Sequence, residues 1–384
     1  MSGKGTNRWG SLARLFDGCG GERTPRWLTR LCGPEILERN ANIEFSVRGR
    51  LRVACGKRGS GEAPQTGNVV TPVAPPEVKH SSRALARLRN PHEVAVAGAT
   101  LFVTDQDLDD PNETADIIAI PLGDGGAPSR FATKQRSGQS LTVVDSELFW
   151  VVSGDSDRNE SDWIVKMPIA GGKLTRVAKT TVLADDVIGA HGGSIFFLGP
   201  IALQGGDASV LKLGVHPNSK PTKLCAANRN SFRQAFAVDA LNVYWLEPSG
   251  IVKAAVGGES SVATLVAAAQ QVRGMVSDGT FLYWTEMNGG RNGEGVVQRQ
   301  PVLGGAVEVL ASSQNRPWGI AVDEKSVYWA TNDEHDGQIM KRDKTAGTVR
   351  VIASGQRAPV HVAVDATNVY WANAADGMVM AANK

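Results

Sequence analysis

The chain has 384 residues, 42% of them hydrophobic and 21% charged. These fractions exclude a disordered or collagen-like chain, and no apolar run approaches the ~20 residues that cross a bilayer. The net charge of +2 divides unevenly: residues 1–90 carry 16 Lys/Arg against 7 Asp/Glu, which leaves residues 91–384 acidic and argues against nucleic acid as a partner.

Residues 1–78 read as a basic, irregular leader and tether, set apart from a domain over 79–384. Short amphipathic stretches at Leu12 to Phe16 and Trp27 to Cys32 are divided by Gly18-Cys19-Gly20-Gly21. Residues 56–78 are rich in Gly, Ser, Thr and Pro, the composition of a tether. Between them, Val53-Ala54-Cys55-Gly56 resembles the cleavage site of a bacterial lipoprotein. Three arginines in 45–52 stand where an export signal needs an apolar core. The expectation is an extracytoplasmic protein, periplasmic or surface-anchored, with no working export signal in the sequence. The four cysteines (Cys19, Cys32, Cys55, Cys225) form no CxxC and no disulfide framework. Cys225 reads as a small buried hydrophobe.

From residue 91 onward the chain repeats itself. Val238-Asp239-Ala240-Leu241-Asn242-Val243-Tyr244-Trp245 returns as Val322 to Trp329 and as Val364 to Trp371, and with one extra residue as Val276 to Trp284. Weaker copies end in Leu101-Phe102-Val103, Leu148-Phe149-Trp150 and Ile195-Phe196-Phe197. Seven units of roughly 40–47 residues, each built of short apolar runs between turn signals, predict an all-β fold, a β-propeller. Each unit parses into four strands. An apolar run leads to a turn of Asp, Asn, Ser or Thr, whose side chains bond their own backbone. The aromatic strand follows, then a loop, a third strand, a glycine-containing hairpin and a fourth strand. The count gives seven four-stranded blades, with six or eight as alternatives. The last unit ends after its third strand, so Ser82 to Arg87 is predicted to supply the missing outer strand and close the ring. Closure removes most exposed strand edges.

All four tyrosines (Tyr244, Tyr283, Tyr328, Tyr370) fall at one repeat position, completed by Phe102, Phe149 and Phe196. Trp150, Trp245, Trp284, Trp329 and Trp371 fall at the next. Successive strand residues face opposite ways, so the rings are predicted to pack between neighbouring blades rather than to stack on sugars.

Tyr283-Trp284-Thr285-Glu286 is similar to the Tyr-Trp-Thr-Asp repeat of low-density-lipoprotein-receptor-type propellers, and the run 317–323 resembles the blade start of NHL-type repeats. Those families usually have six blades and span receptors, scaffolds and a few enzymes. The resemblance therefore implies a fold and leaves the activity open.

Two sets of residues could carry function. The variable loops between second and third strands mark one face as the binding face, and two of them, 104–116 and 155–162, are acidic. Asp105, Asp107, Asp109 and Asp116 have the alternating oxygen spacing of a calcium loop, without its glycine. Calcium, or no cofactor at all, is the expectation there. At the lip of the central channel the repeats place His92, Gln139, Asp186, Gln234, Arg273, Trp318 and Val360, with Glu93 and His361 one step inward. These could bind a small ligand, or a metal through His92, Glu93 and His361. No nucleophile elbow, phosphate loop or zinc-protease helix occurs. The favoured reading is a monomeric, non-enzymatic propeller that binds a protein or polysaccharide. The alternative is a metal-dependent hydrolase or lyase, lactonase-like, with its ion at the channel mouth.

Overall fold

In the computed structural model the described residues run from Ser82 to Lys384, apart from 111–113, 124–125, 137, 155–161, 181–187, 201–207, 217–218, 229–231, 259–260, 270, 291–292 and 346. The leader, its three cysteines and the core of the second acidic loop lie outside them.

Seven four-stranded antiparallel sheets follow one another around a ring. The chain is a seven-bladed β-propeller. Blade 1 comprises Pro91–Ala97, Thr100–Gln106, Thr114–Pro121 and Ser129–Arg136. The inner strands of blades 2 to 7 are Gln139–Val144, Ile188–His191, Phe232–Val238, Val272–Ser277, Pro317–Val322 and Pro359–Val364. Blade 7 continues through Asn368–Asn373 and Met378–Asn383. Its outer strand is Arg83–Arg87, where Arg83 pairs with Ala381 and Arg87 with Met378. The ring is therefore closed by the N-terminal strand, as the register of the repeats predicts.

The core lies between blades. Phe102 clusters with Leu148 and Trp150 of blade 2, and Phe149 with Ile195 and Phe197 of blade 3. Tyr244 meets Leu282 and Trp284, Tyr283 meets Val327 and Trp329, and Tyr328 meets Val369 and Trp371. Tyr370 returns to Leu101 and Val103 of blade 1. Every one of these rings is buried, so each interface uses the Tyr or Phe of one blade against the aliphatic residue of the next and the Trp two positions on, replaced by Phe197 in blade 3 and Val103 in blade 1. The buried indole N–H groups also find acceptors. Trp329 donates to Gln314 Oε1 and Trp371 to Gln356 Oε1, both at 2.9 Å, each from the outer strand of the preceding blade.

The hairpins between third and fourth strands need positive φ, supplied for example by Gly304 (101°) and Gly305 (135°). Cys225 sits in an outer strand, buried, and burial pushes its thiol up to about 11, which keeps it inert. No helix among the described residues is long and apolar enough to cross a membrane.

Candidate functional site

The inner strands pack closely where they line the channel. At Gly274 a Cβ would meet the Trp318 carbonyl at 2.8 Å, and at Gly319 it would meet the Val360 carbonyl at 2.4 Å. The same repeat position carries His361 in blade 7 and Glu93 in blade 1. At the seam where the ring closes, side chains fill the place that glycine takes in blades 5 and 6.

A second local feature aims them. In blade 1 the pairing of inner and second strands slips between Pro91 and Val94, and in blade 7 between Pro359 and Val362. Such bulges break the two-residue alternation and re-aim side chains. The neighbours His92 and Glu93 can thus both face His361. One ligand atom from each of the three lies within 4.8 Å of the others. The two imidazole rings are 5.4 Å apart between centroids, tilted by 54°.

Each member of the cluster has a defined state. Glu93 is buried, and its carboxylate accepts the Ser140 amide at 2.9 Å and the Leu141 amide at 2.7 Å, which fixes it against blade 2. Its own amide donates to Thr104 Oγ1 at 2.9 Å. His92 Nδ1 is buried and has no hydrogen-bond partner among the described residues. Burial, and secondarily His361, push His92 down to about 3, so its ring is neutral at physiological pH and holds one nitrogen lone pair.

His361 is also part of the wall of a cavity of about 160 Å³ in the channel mouth, with Arg273, Trp318, Ile188, Phe236 and Met275. The Arg273 guanidinium lies 4.6 Å from the Trp318 ring centroid, and its Nε donates to Met287 Sδ at 2.9 Å. Of the lip residues read from the sequence, the structure thus gathers His92, Glu93 and His361 in one group. It places Arg273 and Trp318 with His361 in the cavity. Gln139 begins the inner strand of blade 2, half-buried. Asp186 and the side chain of Gln234 lie outside the described residues.

The first acidic loop has a different geometry from the one its lettering predicts. Asp105 and Asp116 belong to the second and third strands, paired across the ladder, so only Asp107 and Asp109 are loop residues. The second and third strands run further because Arg89 bridges the opposed carboxylates. Its guanidinium reaches Asp105 Oδ2 at 3.2 Å, Asp116 Oδ2 at 3.3 Å, and Asp107. Arg130 adds a contact to Asp116 Oδ2 at 3.3 Å. Asp105 Oδ1 accepts the Arg89 and Asn90 amides. Asp109 is exposed, and it joins this network through its amide, which donates to Asp107 Oδ1 at 3.2 Å. Among the described residues, His92, Glu93 and His361 are the group of possible metal ligands that converges.

The signal that sequence reading passed over was Arg89, which stands just before the blade and opposite three acids. The Gln residues that end outer strands, Gln314 and Gln356, were also unread; their recurrence three residues before the next inner strand was the available clue.

No family model matches the chain, and no curated protein matches it. Solved structures do. A catalytically inactive histidine-to-alanine form of virginiamycin B lyase from Staphylococcus aureus, with quinupristin, superposes with a TM-score of 0.58 at 14% identity, over 80% of this chain and 99% of that one. A puromycin-hydrolyzing peptidase of Mycobacterium tuberculosis gives 0.54 at 12% identity, over 77% of this chain and 52% of that one. A nidogen/laminin complex gives 0.41 at 17% identity, over 56% of this chain and 82% of that one. At these identities the likeness is one of fold. The fold serves a lyase and a peptidase alike, so activity must be argued from the site.

Proposed function

We propose that the protein is a metal-dependent hydrolase or lyase whose divalent ion is held at the channel mouth by His92, Glu93 and His361. The observation that carries this is the convergence of three ligand atoms within 4.8 Å at the blade 7–blade 1 seam. Two imidazoles and one carboxylate form the donor set of catalytic zinc sites, which leave a fourth position open for water or substrate. Zinc ligands sit about 2.0–2.2 Å from the ion, so the three ligand atoms, which lie within 4.8 Å of one another, would draw closer to hold it. The partnerless Nδ1 of His92 suits the same reading, because a buried polar atom without a hydrogen bond is costly unless something else satisfies it. A bound ion supplies Lewis acidity and lowers the pKa of a coordinated water. The chain's own part is orientation: Ser140 and Leu141 hold the Glu93 carboxylate through their amides, as outer-sphere partners of metal ligands commonly do. The superposed lyase, inactive when one histidine becomes alanine, is a precedent for histidine-dependent chemistry on this fold.

Calorimetric titration of chelator-treated protein with zinc tests the proposal. One equivalent should bind, and His361→Gln should abolish binding. If no metal is taken up, the propeller is instead a binding module that presents its upper loops to a protein or polysaccharide. Calcium at the first acidic loop is the lesser proposal, because Arg89 already supplies positive charge there. Millimolar calcium should therefore raise the melting temperature of Arg89→Gln more than that of the wild type.

A further inference from the structure

The interface that closes the ring is built differently from the others. Three kinds of polar link recur between neighbouring blades. In the first, an indole donates to a glutamine near the end of the preceding outer strand, as Trp150 does to Gln135 at 3.3 Å, and Trp329 and Trp371 in the same way. In the second, a third-strand cation donates to the carbonyl just past the third strand of the next blade: Lys166 to Val215, Lys212 to Val256, Lys253 to Val302 and Arg299 to Lys344. In the third, the turn aspartates 239, 278 and 323 accept from Ser277, Lys344 and Lys384 of the following blade. Each interface from blades 1–2 round to blades 6–7 has at least one of these links. Between blades 7 and 1 the residues at those places are apolar. Leu88 stands at the glutamine position and Val103 at the indole position. Ala381 takes the place of the third-strand cation, opposite Tyr370 as Lys341 is opposite Tyr328. Leu122 stands where Lys344 and Lys384 stand in blades 6 and 7. All four pack with Tyr370 in one apolar cluster.

We infer that an ion held by His92, Glu93 and His361 is the latch of the ring, joining the first blade to the last where the recurring polar links are missing. The inference rests on the metal reading and gives the ion a second, structural task. The ligands straddle the seam: His361 comes from the inner strand of blade 7, His92 and Glu93 from that of blade 1. Coordination therefore crosses the interface, and the Ser140 and Leu141 amides on Glu93 extend the hold to blade 2. The closing strand Arg83–Arg87, by contrast, is lightly held. None of its five side chains is buried, and its pairing with Met378–Asn383 slips between Ala84 and Ala86. Elements with few buried apolar groups are the ones that open below the global unfolding free energy. Apolar packing is non-directional, whereas coordination fixes distance and direction. A tie between points far apart in the chain also restricts the opened chain most.

Hydrogen exchange on the full-length protein tests this, with zinc uptake followed separately by calorimetry. The readout is the ratio of exchange rates between the seam strands, Arg83–Arg87 and Met378–Asn383, and a strand across the ring, Asn242–Glu247. A ratio is needed because any ligand of the native state slows exchange through global unfolding everywhere. In chelator-treated protein the seam should exchange about tenfold faster than blade 4, and one equivalent of zinc should bring the ratio close to one. His361→Gln should keep the metal-free ratio with zinc present. Leu122→Lys, which returns a donor to the place of Lys344 and Lys384, should lower the ratio without metal. If Leu122→Lys does not fold, the wild type and His361→Gln decide alone. A metal-free seam that exchanges no faster than blade 4 overturns the latch, as does a zinc effect that survives in His361→Gln. Zinc uptake that leaves the ratio unchanged also overturns it, and leaves the metal site standing. The absence of zinc uptake refutes the metal reading and the latch together.

Discussion

Blades 4–7 and blades 1–3 make the same turn between inner and second strands by different chemistry. In blades 4–7 one aspartate does the work. Asp239, Asp278, Asp323 and Asp365 each accept two backbone amides through Oδ1, two and three residues ahead. Through Oδ2 each accepts the hydroxyl of the tyrosine five residues on, at 2.6–3.0 Å. In blades 1–3 the turn is formed by residues at positive φ instead: Gly98 at 56°, Asp145 at 53°, and Gly192 and Gly193 at 56° and 66°. There the ring is Phe102, Phe149 or Phe196, with no hydroxyl to satisfy. The difference teaches why tyrosine appears where it does. Packing between blades asks only for a six-membered ring. The hydroxyl is present in the blades whose turn aspartate offers it an acceptor, since an unpaired buried hydroxyl would be costly.

The same aspartates link successive blades on the lower face. Ser277 donates to Asp239, Lys344 contacts Asp278 and Lys384 contacts Asp323, each at 2.6 Å and each from the following blade. No such side-chain link is made to Asp145 among the described contacts of blade 2. The two halves should therefore respond alike to loss of a packed ring and unlike to loss of a turn acid.

The largest effect is expected from the rings themselves. Trp329→Ala and Trp150→Ala should each cost about 3–5 kcal/mol, read from denaturant midpoints, because both indoles are fully buried at a blade interface. A markedly smaller loss at Trp150 would mean that the first half of the ring is less tightly packed than its burial implies.

Next in size is the turn acid. Asp323→Asn removes charge from bonds to two amides, the Tyr328 hydroxyl and the Lys384 ammonium, worth about 1.5–3 kcal/mol for hydrogen bonds to a charged group. Asp145→Gly should be neutral or mildly stabilising, since glycine takes a positive φ more readily. The contrast also has a pH signature. Burial pushes Asp323 up, but the Lys384 ammonium, the Lys325 and Ser326 amides and the Tyr328 hydroxyl together bring it down to about 2. Asp239, Asp278 and Asp365 are lowered in the same direction. A carboxyl held below its unfolded value contributes stability that is full above about pH 4 and fades as pH falls toward 2. The wild type should lose stability across that window, and Asp323→Asn should lose less. Parallel curves for the two proteins would contradict the role given to Asp323.

The smallest effect belongs to the hydroxyl. Tyr328→Phe should cost about 1 kcal/mol, the net worth of a single hydrogen bond, and Phe196→Tyr should bring no gain because blade 3 has Gly192 and Gly193 at the turn. Equal and opposite effects in the two blades would break the comparison.

Most of the architecture was legible because the repeat writes it seven times: the blade count, the closing strand 82–87 and the ring positions all follow from register. The tyrosine–aspartate bond was half legible, since both residues recur, but their five-residue spacing across a turn hides the contact from strand periodicity. The acidic loop misled because spacing between carboxylates shows nothing of the cation beside them, and Arg89 belongs to a different segment. At the channel mouth the lip residues were found by alignment alone. His92, Glu93 and His361 were read as a candidate set from the repeat positions, but the distances among them were not legible, because they depend on the bulge that starts each of the two inner strands and on the seam that joins the first blade to the last.

The central claim is that seam. Cobalt(II) absorption during titration of chelator-treated protein tests it most directly, since low-coordinate cobalt held by imidazole and carboxylate absorbs far more strongly in the visible than the hydrated ion. The account predicts an intense visible band that saturates at one equivalent and is lost in His92→Gln and in His361→Gln. A spectrum that stays that of hydrated cobalt throughout, or a band unchanged in both variants, would contradict it.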